Sequence, residues 1–156
     1  MKIRTSRFIN TSSERLWPLL TNSRMDVPGW FCLGVPQPKS CELPNTNGEV
    51  GAERRCISDR GTVIQKITEW DPPVRLRFKM LTTDHTWGPC VESLEEDFHL
   101  EVHGSGTRIT RTTTITASGI FPWLKELGFY SGLKRVHLYV FHNWKKHSEE
   151  GLNPNS

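Results

Sequence analysis

A block of strand-like segments fills the middle of this chain and limits its possible folds more than any other feature. The block is rich in Val, Ile, Thr and aromatic residues, which favour strands. Short runs of Asp, Pro, Gly and Ser interrupt it, and these residues favour turns. Strands joined by such short connections pair with their chain neighbours in an antiparallel sheet. The predicted strands of the block are residues 48–58, 62–70, 75–83, 91–103 and 107–117.

Helical signals stand on either side of this block. Residues 11–14 (Thr-Ser-Ser-Glu) form a capping box, and the apolar residues after them predict a short helix. Residues 22–30 break that pattern, and a second short helix is expected there. Toward the C-terminus, apolar residues recur at steps of three and four, which predicts a long helix interrupted at Gly128 and Gly132. Its stripe consists of Leu133, Val136, His137, Val140 and Trp144.

Two further strands are predicted before the block. Residues 2–9 have extended character, and residues 32–41 suit an edge strand because Pro36 and Pro38 lack an N–H donor. This segregated order indicates an α+β fold with a seven-stranded antiparallel sheet covered on one face by the final helix. A sheet that curls around one helix leaves space unfilled, and cavities of this kind bind ligands.

The chain is predicted to form a single domain over residues 1–148, followed by a disordered tail over residues 149–156. A length of 156 residues is typical of one domain. Six tryptophans within an apolar fraction of 35% concentrate the apolar volume in a few large side chains, which suits the wall of a cavity. The tryptophans expected in the core or the cavity wall are Trp17, Trp30, Trp123 and Trp144.

Composition argues against several classes of function. The net charge of +3 is small and the basic residues are scattered, which argues against nucleic-acid binding. No stretch approaches the roughly 20 apolar residues of a membrane span. The N-terminus lacks the apolar region of a secretory signal, so a cytoplasmic protein with reduced thiols is expected. The four cysteines show no zinc spacing, and a metal site at His85, Cys90 and His99 has little support.

Strand alternation places several polar side chains on the inner face of the sheet. The two-residue loop at residues 104–105 sets the register of the last hairpin. It places Phe98 opposite Arg111 and Glu96 opposite Thr113. Glu96 and Arg111 are then diagonal neighbours inside the sheet, within reach of each other.

A second hairpin brings another arginine to the same face if its loop has two residues. Arg54 then lies opposite Gln65, whereas a three-residue loop would turn Arg54 outward. His137 lies on the apolar stripe of the final helix and faces the same space. The other histidines are expected at the surface, in loops or at helix ends.

Two interpretations of these inward residues stay open. Glu96 and Arg111 can form a buried ion pair that braces the sheet, or a polar wall that orients a carbonyl group or transfers protons. His137 can be a core histidine with satisfied hydrogen bonds, or a proton donor or acceptor near neutral pH.

Several motifs resemble those of the Bet v 1/START-like (SRPBCC) superfamily of helix-grip domains. They are Ser-x-Glu-x-Leu-Trp-x-x-Leu-Thr at 12–21, Pro-Gly-Trp at 28–30, Gly-Ala-Glu-Arg at 51–54, Ile-Thr-Glu-Trp-Asp-Pro-Pro at 67–73 and Gly-Thr-Arg-Ile-Thr at 106–110. Within the superfamily, residues 2–148 most resemble bacterial polyketide cyclase/dehydrase-like proteins. Gln65-Lys66 departs from the Glu-Arg pair of many relatives and removes one potential cavity carboxylate. The resemblance implies the element order β-α-α-β6-α.

The resemblance and the inward polar residues together imply that a small hydrophobic molecule binds in an internal cavity. An aromatase/cyclase-type enzyme would fold a polyketone there, with Arg111 and Arg54 polarising a carbonyl group and Glu96 or His137 moving protons. A non-catalytic carrier or sensor of a lipid-like or aromatic molecule would use the same residues to anchor its head. A partner-binding module with a collapsed cavity is the third hypothesis.

No cofactor and no metal are expected for any of these functions. The predicted catalytic residues are Glu96, Arg111 and His137. The predicted ligand-binding residues are Arg54, Gln65, Glu69, Phe78, Met80, Glu92, Phe98, Thr113, Trp123, Leu133 and Val140.

Overall fold

The computed structural model describes residues 1–25, 32, 35–43, 48–85 and 88–150, which form an antiparallel sheet, a short helix and a long helix. The strands are β1 Lys2–Ile9, β2 Ser23–Arg24, β3 Pro38–Glu42, β4 Glu53–Ser58, β5 Gly61–Asp71, β6 Arg75–Thr83, β7 Val91–His103 and β8 Gly106–Ala117. The helices are α1 Ser13–Thr21 and α2 Pro122–Glu150, and a 3₁₀ turn spans Gly88–Cys90.

The sheet runs in the order β1-β8-β7-β6-β5-β4-β3-β2, with every neighbouring pair antiparallel. Helix α2 packs against β1, β8 and α1. This arrangement, a curled antiparallel sheet around a long C-terminal helix, confirms the α+β prediction. The seven predicted strands are all present, and the two-residue strand β2 adds an eighth at the sheet edge.

The helices and the C-terminal end differ from the predictions at three places. The second short helix was expected within residues 22–30, where β2 occupies 23–24 and residues 26–30 lie outside the described part of the chain. Helix α2 is continuous across Gly128 and Gly132, so the predicted interruption is wrong. Gly132 is needed for close packing, because a Cβ there would lie 2.2 Å from Val35 Cγ2. Since α2 continues to Glu150, the predicted tail at 149–156 also begins too early.

Aromatic side chains fill much of the core between α2 and the sheet. Trp144 and Phe98 are buried with ring centroids 5.6 Å apart, and Trp17 meets Trp70 edge to face at 5.2 Å. Trp123 is 65% exposed, so its predicted place in the core or the cavity wall is wrong. It belongs to a set of solvent-exposed apolar residues at the start of α2, and its neighbours there are Ile120, Phe121, Leu124 and Leu127.

Helix α1 has a side-chain cap at its N-terminus and an available carbonyl group near its C-terminus. Ser12 caps its N-terminus by accepting a hydrogen bond from the Arg15 amide at 3.4 Å, so the cap is Ser12 rather than the expected Thr11. Pro18 lies inside the helix. Carbonyl groups in the last turn of a helix have no partner within the helix. That of Leu20 is therefore free to accept a hydrogen bond from elsewhere in the structure.

A disulfide joins Cys41 on β3 to Cys56 on β4, two residues that oppose each other directly in the register. Cys32 and Cys90 are free. The expectation of four reduced thiols is therefore wrong for one pair, because the register of two edge strands brings these cysteines together. The thiol argument for a cytoplasmic protein falls with it.

We expect iodoacetamide to label two cysteines per chain when protein purified without reductant is denatured, and four after reduction. Intact mass spectrometry counts the labels. Reduction should also lower the free energy of unfolding by about 2–4 kcal/mol, because the bridge closes a loop between cysteines 15 positions apart. A Cys32→Ser/Cys90→Ser variant is the control and should take no label before reduction. Four labels without reductant would contradict the pairing.

Candidate ligand-binding cavity

A cavity of about 120 Å³ lies between the sheet and α2. Its size is close to that of the roughly 150 Å³ engineered cavity that holds a benzene molecule. Strands β4 to β8 supply one wall and α2 supplies another. Five residues near the sheet edge also contribute, and these are Met25, Val35, Pro36, Pro38 and Cys41. The α2 wall consists of Phe129, Leu133, Val136, Val140 and Trp144.

Most of the predicted site residues line this cavity. Those that do are Arg54, Gln65, Phe78, Met80, Glu96, Phe98, Arg111, Leu133 and Val140. Five predicted residues do not, and these are Glu69, Glu92, Thr113, Trp123 and His137.

Glu69 lies on the outer face of the sheet, so its prediction as a ligand-binding residue is wrong. A β-bulge between Ile67 and Glu69 reverses the alternation along β5 and pairs Glu69 with Arg77. The Glu69 carboxylate lies 3.7 Å from both Arg75 and Arg77 outside the cavity.

Glu92 is also exposed, and its predicted place in the cavity is wrong for the same kind of reason. The register between β7 and β8 shifts between Val91 and Ser93, so Glu92 does not share the face of Glu96. Simple alternation assumed an unbroken strand here.

Glu96 and Arg111 form a bidentate ion pair on the cavity wall. Arg111 donates from Nε to Glu96 Oε2 at 2.9 Å and from Nη2 to Oε1 at 2.8 Å. The β7–β8 register is as predicted, with Phe98 opposite Arg111 and Glu96 opposite Thr113. The Arg111 guanidinium also stacks over the Phe98 ring at 5.2 Å. Both side chains are largely buried, so the pairing offsets a large desolvation cost.

Thr113 lies behind this pair and connects it to His137. The Thr113 hydroxyl donates to Glu96 Oε2 at 2.8 Å and lies 2.6 Å from His137 Nε2. A hydroxyl has one proton, so His137 Nε2 must donate to Thr113. The other nitrogen, Nδ1, then accepts from the Thr5 hydroxyl at 3.0 Å. These hydrogen bonds fix the tautomer of a neutral ring.

His137 is fully buried, and burial is the main cause that lowers its pKa far below the ordinary histidine range. The positive charges of Arg111 and Lys134 lower it further. His137 does not line the cavity, and both of its ring nitrogens form hydrogen bonds, with Thr113 and Thr5. The geometry matches a core histidine with satisfied hydrogen bonds.

Arg54 lines the cavity from β4 and is only 4% exposed. The register pairs it with Gln65 across a two-residue loop, as the shorter-loop alternative predicted. Its Nη1 donates to Gln65 Oε1 at 2.7 Å and lies 2.8 Å from Cys56 Sγ, and its Nη2 donates to the Leu20 carbonyl at 2.8 Å. The guanidinium also lies over the Phe78 ring, 4.8 Å from its centroid.

The surroundings of Arg54 lower its pKa to about 9, mainly because burial disfavours the charged form. Arg111 lowers the pKa further, and Glu96 opposes that effect. In the described part of the chain, no carboxylate forms a salt bridge with Arg54, and its Nε has no hydrogen-bond partner.

His85 lines the cavity although the sequence placed it at the surface. It is buried, with Nε2 2.7 Å from the Ser58 hydroxyl and Nδ1 2.5 Å from the Thr83 hydroxyl. Desolvation lowers its pKa, while Asp84 and Asp59 act in the opposite direction. His85 follows the end of β6, where strand alternation no longer applies, so no sequence pattern could have found it. Ser58 and the Cys41–Cys56 disulfide also line the cavity and were not predicted.

Within the described residues, no three His, Cys, Asp or Glu side chains are grouped as ligands for a metal ion. Neither α1 nor α2 has a stretch long and apolar enough to cross a membrane.

Comparison with known proteins places the chain among proteins of related architecture. A family described as polyketide cyclase / dehydrase and lipid transport matches residues 1–149. No curated protein sequence matches the chain.

Three solved structures illustrate the similarity of fold. Protein TTHA0849 from Thermus thermophilus has a TM-score of 0.70 at 18% identity, covering 98% of this chain and 100% of its own. Ara h 8.0201 has a TM-score of 0.67 at 16% identity, covering 96% and 98%. Ginseng major latex-like protein 151 from Panax ginseng has a TM-score of 0.64 at 14% identity, covering 95% and 97%.

At these identities the solved structures show the fold alone, which is that of the Bet v 1-like helix-grip proteins. The family match covers nearly the whole described chain. The chain therefore belongs to the polyketide cyclase/dehydrase and lipid transport family, within the Bet v 1/START-like (SRPBCC) superfamily.

Proposed function

We propose that this protein binds a small hydrophobic molecule with a polar head in the cavity and acts as a carrier or sensor without changing it chemically. The observation that carries the proposal is the division of the cavity wall. Polar groups come from the sheet, at Arg54, Gln65, Glu96 and Arg111, whereas the α2 wall is apolar. A molecule with one polar end and an apolar body fits this arrangement.

The apolar wall provides most of the binding free energy in this proposal. Transfer of apolar surface from water contributes roughly 25 cal/mol per Å² buried. Leu133, Val136 and Val140 present aliphatic surface from α2, and Phe78 and Phe98 present aromatic surface from the sheet. The polar groups then fix the orientation of the ligand.

The hydrogen bonds of the predicted catalytic residues favour binding over chemistry. Glu96 accepts hydrogen bonds from two Arg111 nitrogens and from Thr113, so both of its oxygens are occupied. His137 is neutral, does not line the cavity and has both ring nitrogens in hydrogen bonds. A general acid or base must lie within hydrogen-bond reach of the substrate. His137 has no such access.

A second candidate is an aromatase/cyclase-type or dehydratase-type enzyme, which the family description and one observation favour. The Arg54 and Arg111 guanidinium groups both line the cavity and could polarise a carbonyl oxygen. Among the described residues of the cavity wall, Glu96 and His85 would then be the groups that can transfer a proton.

We expect Val140→Phe to weaken binding of a neutral aromatic probe, 4-ethylbenzyl alcohol, at least tenfold, because the larger ring fills the cavity. Isothermal titration calorimetry measures the affinity. Val102→Phe is the matched control, since Val102 is 78% exposed at the end of β7 and should bind as wild type does. Thermal unfolding checks that Val140→Phe is folded, because overpacking costs about 1–3 kcal/mol. Unchanged affinity in Val140→Phe would refute the cavity as the binding site.

The neutral state of His137 predicts a specific loss of stability in acid. Its pKa is lowered in the folded protein, so below about pH 6.5 the unfolded chain binds a proton that the folded protein does not. The free energy of unfolding is therefore unaffected by His137 above that pH. Below it, the difference in proton binding lowers the free energy of unfolding by up to about 1.4 kcal/mol per pH unit.

Urea unfolding at pH 7, 6 and 5 measures this effect. From pH 6 to pH 5, the wild type should lose about 1 kcal/mol more than His137→Gln, which has no ring to protonate. The His99→Gln variant, at a half-buried position on β7, is the control and should follow the wild type. Equal losses in the wild type and His137→Gln would show that His137 titrates normally, and its role as a proton donor would regain support.

A direct assay separates the carrier from the enzyme. We expect no product when the protein is incubated with a linear poly-β-ketone thioester and the mixture is examined by mass spectrometry. Cyclised or dehydrated product that forms with the wild type, and fails to form with a folded Glu96→Gln variant, would establish the enzymatic candidate instead.

A further inference from the structure

We propose that the ligand of this cavity is an anion, and that its carboxylate or similar negatively charged oxygen group pairs with the Arg54 guanidinium. This inference rests on the proposed function and specifies the chemical class of the ligand. It concerns the charge of the polar head, which the proposed function leaves open.

The charges of the cavity wall do not balance. Among the described residues that line the cavity, Arg54 and Arg111 are cationic and Glu96 is anionic. His85 also lines the cavity, and burial favours its neutral form. The wall therefore carries one positive charge in excess. One carboxylate on the ligand would balance it.

The two arginines of the cavity wall differ in their partners. Arg111 makes a bidentate salt bridge with Glu96 and has its counter-charge within the fold. Arg54 has only neutral partners, namely the Gln65 amide oxygen, the Leu20 carbonyl, the Cys56 sulfur and the Phe78 ring. Arginine is almost never fully buried without an anionic partner.

Burial of Arg54 without a salt bridge costs free energy. Removing a cation from water is unfavourable unless an opposite charge and hydrogen bonds compensate for the lost hydration. Burial of Arg54 is severe enough to lower its pKa to about 9, and Arg111 adds repulsion. An anion in the cavity would offset both effects, because a negative charge nearby favours the charged form of arginine.

The position of Arg54 also suits recognition of such a head group. Its guanidinium is held on three sides, by β5 through Gln65, by α1 through Leu20 and by the Phe78 ring. A preorganised guanidinium loses little side-chain entropy when a carboxylate binds. The apolar body of the ligand would then lie toward Val140 and the rest of the α2 wall.

A purely structural role for Arg54 makes a different prediction. If its hydrogen bonds serve only to join β4, β5 and α1, the cavity should bind neutral and anionic ligands equally well. A charge preference that depends on Arg54 separates the two roles.

The experiment compares 4-ethylbenzoate with 4-ethylbenzyl alcohol, which share a ring and differ in the charge of the head group. Isothermal titration calorimetry at pH 7.5 measures both affinities for the wild-type protein. We expect the carboxylate to bind at least tenfold more tightly than the alcohol. This comparison requires no variant.

Two variants then assign the preference to one residue. Arg54→Met should reduce the difference between the two probes to less than threefold. Arg55→Met is the matched control, because Arg55 is the adjacent residue on β4 but is exposed. It removes the same charge outside the cavity and should keep the tenfold preference.

The outcomes distinguish this inference from the proposed function. Tighter carboxylate binding that Arg54→Met abolishes and Arg55→Met keeps would support the inference. Equal binding of the two probes to the wild type, or an unchanged preference in folded Arg54→Met, would overturn it and leave the proposed function standing. Failure of both probes to bind the wild type would overturn both.

Discussion

The cost of burying charge is the constraint on which the interior of this protein depends. Three charged side chains line the cavity, and each is largely buried away from bulk water. They are Arg54, Glu96 and Arg111. Glu96 and Arg111 meet that cost together, through two short hydrogen bonds and the support of Thr113. Removing one partner of such a pair would leave an uncompensated charge, which costs about 3–5 kcal/mol. A different hairpin register would separate the two residues and would therefore incur this cost.

Two β-bulges limit how many charges the interior has to accommodate. Without the bulge before Glu69, alternation along β5 would place a second carboxylate on the inner face. The bulge after Val91 likewise turns Glu92 outward, which keeps a third carboxylate off that face. With both turned outward, the cavity wall keeps one carboxylate among the described residues. The bulges therefore set the sign of the cavity charge, because three carboxylates would outnumber Arg54 and Arg111.

The sequence predicted those parts of the site that follow from regular strands and short loops. A two-residue loop at 104–105 was enough to place Glu96 and Arg111, and the same counting placed Arg54 opposite Gln65 once its loop proved to be two residues long. The α+β architecture followed in the same way from the order of strands and helices. These features depend on local geometry that propagates along a strand without a break.

The remaining features arise from departures that periodicity does not carry. The bulges turned Glu69 and Glu92 outward, and His85 entered the cavity wall from a loop. The Cys41–Cys56 disulfide depends on the pairing of two edge strands, which the cysteine spacing does not encode. Trp123 is a large apolar residue of the kind expected in a core, yet its position at the start of α2 is exposed to solvent. Each of these departures results from the tertiary arrangement.

The polar groups of the interior divide into a connected set, whose hydrogen bonds are made within the protein, and Arg54, which has no salt bridge to a carboxylate of the described residues. The connected set is a chain of hydrogen bonds that joins β1, β8, β7 and α2. Its members are Thr5, His137, Thr113, Glu96 and Arg111. Each of its hydrogen bonds fixes the direction of the next, so it positions the helix on the sheet but offers a ligand little to bind. Arg54 stands apart from it, because no carboxylate of the described residues forms a salt bridge with Arg54. A fold that needed only internal cohesion could hold β4, β5 and α1 together with a neutral side chain at lower desolvation cost, so the burial of a charge there is better explained by a ligand than by the fold.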